Sequence, residues 1–271
     1  MARWGFAQLP RHFRIAGIAL CLGFALLVLA AFARAELTAK GDLFVKFSGG
    51  IAPAALPRHQ LAPVAIGVAG TVKTLSGERP PPLRSLSIGI HRGGRLDTRG
   101  LPVCHREEID PGSSAKALEV CGSALVGEGT FAARTAFPEQ ETFPAHGRIL
   151  GFNSVSNGHP TILAHIYGAD PVPITRTIVF HIHRHPGKTF DTTLSGALPV
   201  GVNRYGYVKK ISLYLFRLFT YRGQTHSYLS AACAAPPGFP SAIFPFARAS
   251  MTFEDGRTLS SSLTRTCRVS Q

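Results

Sequence analysis

The sequence predicts an all-β protein, an antiparallel sandwich or barrel-like fold with one short helix near residues 113–121. Three observations predict it. Only 16% of residues are charged, while the chain holds 28 Gly and 20 Pro. That balance suits strands joined by tight turns. Leu86-Ser87-Ile88-Gly89-Ile90 alternates apolar and small residues with period two, the pattern of a half-buried strand. Turn signals such as Gly93-Gly94, Arg222-Gly223-Gln224 and Asp255-Gly256 recur between the β-prone runs.

Taken in order, residues 43–47 form a short β-prone run, and Pro53, Pro57 and Pro63 punctuate the loop after it. Residues 64–73 read as a strand built with small residues, and Pro80-Pro81-Pro82 interrupt before the strand at 86–90. Helix signals come together once. Ser113 or Ser114 caps a run through Ala117, Leu118 and Cys121, Pro111-Gly112 precede it, and Gly122 stops it. Further strands are expected over 130–137, 147–154, 161–167, 175–185, 206–222, 225–233, 246–254 and 257–267. The run at 207–222 is apolar on both faces in its middle, which predicts a central strand covered on both sides. Its aromatics and flanking glycines favour strand over helix there. Gly94-Arg95-Leu96-Asp97-Thr98 before Leu101-Pro102-Val103 is echoed by residues 187–192 before Leu198-Pro199-Val200. This raises the expectation of two related β halves meeting near residue 140, against chance similarity among turn residues.

Residues 1–35 read as an export signal. Arg3, Arg11 and Arg14 precede an uncharged run over 15–33, and Ala33-Arg34-Ala35 supplies an A-x-A cleavage pattern. The competing reading is an uncleaved membrane anchor through 15–33, whose 19 residues approach the length that spans a bilayer. Cleavage leaves residues 36–271 to work in a secreted or extracytoplasmic setting, where thiols oxidise. Cys21 departs with the signal. Cys104, Cys121, Cys233 and Cys267 remain, an even number that reads as two disulfides. Three pairings are open, and closeness in sequence favours Cys104 with Cys121 and Cys233 with Cys267. Loops of those lengths are worth roughly 3 to 4 kcal/mol each.

The formal charge is +14. Four basic residues and no acid fall within residues 1–35, so about +10 remains on the rest. A basic exported protein is drawn to anionic envelope polymers or lipid headgroups. The plainer reading is scattered arginine on solvated faces. Nucleic acid is not expected, because there is no zinc-finger spacing, no RNP-like motif and no block of like charge.

The sharpest local feature is His181-Ile182-His183-Arg184-His185. On a strand, residues two apart share a face, so three imidazoles line up. Imidazole ligates zinc and copper, which makes His181, His183 and His185 candidate metal ligands. Parallel side chains on one flat face do not close a tetrahedral site, so His165 or His159 would have to supply the missing direction. No carboxylate adjoins the cluster to orient the rings, Asp191 and Asp170 being the nearest in sequence. The competing reading, favoured here, is a solvent-facing strand end before Pro186-Gly187. Catalytic residues are not assigned. There is no G-x-S-x-G, S-x-x-K or H-E-x-x-H, and the adjacent Glu107 and Glu108 do not face one another across a cleft. Tyr205, Tyr207, Lys209 and Lys210 are candidate surface-binding residues for glycans or wall polymers.

The Ala- and Arg-rich leader, the turns Leu56-Pro57-Arg58 and Leu101-Pro102-Val103, and the Ser227 to Cys233 stretch (SYLSAAC) carry one resemblance. The chain resembles uncharacterised exported β-rich proteins of high-GC bacteria, a likeness that implies no activity and no functional residues. The expected role is binding or structural, at the cell envelope or outside the cell. The rival expectation is a metal-dependent extracellular enzyme of hydrolase type using the histidine cluster.

Overall fold

The computed structural model describes residues 35–136, 139–170, 172–198 and 206–270. All of the expected signal or anchor except Ala35 lies outside the described residues, as does Tyr205. Strand takes 64% of the described residues and helix 7%, so the fold is mostly β.

The strands begin with β1 (Ala35–Lys40), β2 (Leu43–Ala52), β3 (Ala55–Leu56), β4 (Ala62–Pro63), β5 (Ala65–Thr74), β6 (Leu83–His91) and β7 (Gly94–Leu96). After two helices come β8 (Leu125–Thr135), β9 (Phe143–Ser156), β10 (His159–Asp170), β11 (Ile174–Arg184) and β12 (Phe190–Ala197). The chain ends with β13 (Gly206–Leu215), β14 (Leu218–Tyr221), β15 (Gln224–Ser227), β16 (Leu229–Ala231), β17 (Ser241–Phe253) and β18 (Thr258–Val269). Thirteen strands join in one sheet, in the order β1-β2-β5-β13-β8-β9-β10-β11-β12-β6-β17-β18-β3. The β18–β3 pair is parallel and the other pairs are antiparallel. Strands from either side of residue 140 interleave in this sheet: β13 lies between β5 and β8, and β6 between β12 and β17.

The sheet curls into a half-barrel. Two glycines permit the tight curl beside β8 and β9. A Cβ on Gly129 would stand 2.0 Å from the Ser212 carbonyl, and one on Gly147 would stand 2.0 Å from the Tyr167 carbonyl. Only glycine lets neighbouring backbones approach that closely. The ends of the curl lean together through side chains. Thr38 donates to the Ser260 carbonyl at 3.2 Å, Arg265 pairs with Glu36 at 3.0 Å, and Arg265 also donates to the Gly49 carbonyl at 2.6 Å. Long-range side-chain contacts thus join β1 and β2 to β18 where no backbone ladder does.

The two helices sit outside the barrel. α1 (Arg106–Ile109) is a single turn that the sequence reading missed, being too short to show periodicity. The Glu108 carboxylate accepts the His105 backbone N–H at 2.6 Å, so this acid caps the turn. α2 (Ser114–Cys121) falls where expected, with the Ser113 hydroxyl accepting the Lys116 N–H at 3.2 Å. Its buried Ser114, Ala117 and Cys121 recur at helical spacing and face the sheet. They pack with Cys104 and Ile109 over Leu150, Phe152 and Leu163, a second core on the outer side of β9 and β10. The Cys104–Cys121 disulfide ties this cover together, and Cys233–Cys267 ties the segment after β16 to the end of β18. Both pairings are those that closeness in sequence favours.

Three expectations are corrected. The run at 206–222 is broken, not continuous: β13 ends at Leu215, and β14 folds back on β15 in a separate hairpin. The break at Phe216-Arg217 carries neither Gly nor Pro. It is held by the Phe216 N–H on the Val126 carbonyl and the Tyr228 N–H on the Arg217 carbonyl. The run at 225–233 likewise splits at Tyr228, whose ring is fully buried. Residues 187–192 read as turn chemistry, yet Phe190–Ala197 form β12, the link between β11 and β6. The two-residue turns at Arg222-Gly223 and Asn157-Gly158 have positive φ at both positions, as tight hairpins require. The first was anticipated, and the second was not.

Candidate binding lumen

The inward faces of the curled sheet enclose a lumen. Alternation along each strand decides what lines it. On β10, Ile162, Ala164 and Ile166 face inward, while Thr161, Leu163 and His165 face outward beneath the helices. Antiparallel partners share a face, so Ile178 opposite Ala164 and Phe180 opposite Ile162 continue the inner wall on β11. Phe47, Gly70 and Ile211 do the same across β2, β5 and β13. Ala247, Ala249 and Met251 line it from β17. The cavity measures about 220 Å³. Tyr207 carries the one hydroxyl among the described side chains that line it.

The two ends differ. At one end Leu96, Leu215, Leu229 and Phe246 are buried, with Tyr228 and the small β4–β16–β7 sheet behind them. Leu229 on β16 pairs with Leu96 on β7, so this small sheet forms the floor. At the other end Pro81, Leu83, Leu198, Tyr207 and Val208 are each only partly buried, which places the mouth there. The Arg79 guanidinium lies 5.9 Å from the Tyr207 ring centre and donates to the Gly206 carbonyl at 3.0 Å. With a single hydroxyl among its described lining side chains, a cavity of this size offers little to hold ordered water and favours apolar guests. An engineered apolar cavity of roughly 150 Å³ stays dry and takes up benzene. Ligand sites are commonly concave, largely apolar and sparsely polar, as here.

The residues singled out from sequence fall elsewhere, with one exception. His181 and His183 do line up on the exposed outer face of β11, with the exposed His185 just past its end and ring centres 6.3 and 6.5 Å apart. Their nitrogens do not gather around one point; the described residues contain a single close group of three possible ligands, Cys104, Glu108 and Cys121. In that group the two sulfurs are bonded to each other, which leaves no thiolates to ligate. His183 Nε2 instead shares a hydrogen bond with the Ser195 hydroxyl at 3.0 Å. His165 is fully buried opposite Thr177, whereas His181 pairs with Thr161. Four residues therefore separate the two along the strand, about 14 Å at strand rise. His159 is exposed at the start of β10. Lys209 and Lys210 are exposed on β13, but Tyr207 is half-buried and belongs to the lumen wall.

His165 is the unusual group on the outer face. Both its ring nitrogens lack hydrogen-bond partners, as do the hydroxyls of Thr161, Thr177 and Ser114. Burial holds its pKa below the ordinary histidine value, partly offset by the charge of Asp110. The lumen itself was missed from sequence. The signal lay in Gly70, Ala164, Ala247 and Ala249, small residues on apolar strand faces that leave a barrel unfilled. Against known proteins, the chain matches no family model, no curated protein and no solved structure.

Proposed function

We propose that this chain is an exported binding protein that holds an apolar ligand, such as an alkyl chain, in the barrel lumen. The observation that carries the reading is the lumen: about 220 Å³ enclosed by aliphatic and aromatic side chains, floored at one end and accessible at the other. Apart from the Tyr207 hydroxyl, the described lining side chains offer no nucleophile, acid or base, which favours carriage over chemistry. Export is supported by the pattern of residues 1–35 and by the two disulfides, which suit an oxidising compartment. Among the described residues, no helix is long and apolar enough to cross a membrane. On this reading the chain works at the cell envelope, as one of the exported β-rich proteins it resembles.

Calorimetry with a series of n-alkanols tests this. Burial of each methylene is worth about 0.8 kcal/mol, so affinity should rise about fourfold per carbon until the lumen is full. Gly70→Ile should fill part of it. A Cβ at Gly70 meets nothing within 4 Å, and a β-branched residue suits a strand. The variant should keep its thermal midpoint while losing about tenfold or more in affinity, the order of two buried methylenes. Wild-type affinity in Gly70→Ile, or no dependence on chain length, would refute the lumen as the site.

A further inference from the structure

We propose that the ligand is a single-chain amphiphile with an anionic head, a carboxylate or a phosphate, and that Arg176 at the rim of the lumen receives that head; this rests on the lumen reading above. Arg176 lies on β11 two residues from Ile178 and directly opposite Ile166. Both isoleucines line the lumen, so strand geometry places Arg176 on the lumen face. The other inward positions toward this end of β10 and β11 are Ile166, Gly168, Ile174 and Ile178, none of them polar. A charge on an otherwise apolar face is costly unless it reaches solvent or a partner. Arg176 is exposed, and β11 starts at the same end as β13, where Tyr207 marks the mouth. It therefore stands where the apolar wall gives way to water, the level at which the head of a buried chain would sit.

The surroundings leave the guanidinium available. Its Nη1 donates to the Thr175 carbonyl at 2.9 Å, and no carboxylate pairs with it among the described residues. Asp170, the nearest acid on β10, is in register with the exposed His146 and so belongs to the outer face. A guanidinium presents N–H groups in a fork that fits carboxylate or phosphate oxygens two at a time, and it stays charged at any working pH. A neutral head gains much less from that group, and a cationic head is repelled by it.

Four dodecyl ligands separate the elements of the proposal: dodecanoate, dodecyl phosphate, dodecanol and dodecyltrimethylammonium. Each is titrated calorimetrically, at one ionic strength and slightly alkaline pH, into the wild type and into Arg176→Gln. At least one anion should bind the wild type about tenfold tighter than dodecanol, and the cation should bind more weakly than dodecanol. The stronger anion identifies the head as carboxylate or phosphate. Arg176→Gln should abolish the anion preference while changing dodecanol affinity less than about twofold, and its thermal midpoint should match the wild type. Dodecanol binding with no anion preference, or a preference that survives in Arg176→Gln, would overturn the head-group assignment and leave the lumen reading standing. Failure of all four ligands to bind would overturn both.

Discussion

The two faces of β10 meet opposite fates within one strand. Its inward residues Ile162, Ala164 and Ile166 border open space, although nothing about them is polar. Its outward residues Thr161, Leu163 and His165 are almost completely covered, although two of the three are polar. A face built for stability alone would show the reverse, with apolar side chains packed tightly and polar ones left to water. The difference teaches that the helical cover and its disulfide supply packing on the outer side, which lets the inner side stay unfilled. On the proposed reading, binding and stability fall to different faces of the same strands, and each face can be perturbed alone.

The largest expected effect comes from releasing the cover. Replacing Cys104 and Cys121 together by Ser removes a cross-link spanning 17 residues. That should cost about 3 kcal/mol of unfolding free energy, measured by urea denaturation. The same variant should bind long-chain alkanols within about twofold of wild type, because no residue of either helix lines the lumen. A collapse of affinity would show that the two faces are coupled and would end that division of labour.

How much of this was legible in the sequence follows the range of the interactions. Alternation at 86–90, the cap at Ser113 and the turns at Asp255-Gly256 and Arg222-Gly223 are local, and each marks an element that forms. The cysteine pairing was legible because the partners are near in sequence. The split of 206–222 was not, since the hydrogen bonds that bend the chain at Phe216-Arg217 come from Val126 and Tyr228, distant residues. The lumen was hidden for the same reason. Two apolar faces on one strand read as a central strand covered on both sides, and only the closure of β1 and β2 toward β18 decides that one of the covered faces encloses space. The histidine ladder stood out because it is local, yet local spacing says nothing about whether nitrogens converge.

A smaller effect sharpens the contrast at His165. Its folded pKa lies below the usual value, so the fold prefers the neutral ring. The unfolded chain takes up its proton near pH 6.5. Between that pH and the lower folded pKa the unfolded state holds more protons, so stability is complete above about pH 6.5 and declines as pH falls through this window. His91, half-buried beside Arg92, shifts the same way and adds to the acid limb. His165→Leu separates the two. It should remove part of the pH dependence and raise stability at pH 7.5 by about 1 kcal/mol, because two buried nitrogens without partners are replaced by carbon. Denaturation curves at pH 5.5 and 7.5 for both proteins give the comparison, and an unchanged acid limb in His165→Leu would place its origin elsewhere.

The smallest effect belongs to the part of the outer face that the helices leave bare. His183 is exposed, and its side-chain hydrogen bond to Ser195 is open to water, where exchange with solvent leaves little net gain. His183→Ala should therefore shift stability by less than about 0.5 kcal/mol and leave alkanol affinity unchanged. The measurement also weighs the metal alternative. Rings 6.3 and 6.5 Å apart on one flat face would have to turn toward a common point to hold an ion, whereas zinc–nitrogen bonds are only about 2.0–2.1 Å long. Elemental analysis of untagged protein purified without added metal decides the matter. Stoichiometric zinc or copper, lost in His183→Ala, would show that the ladder can rearrange into a site. The outer face would then carry chemistry of its own, and the contrast between a packed outside and a binding inside would no longer describe the molecule.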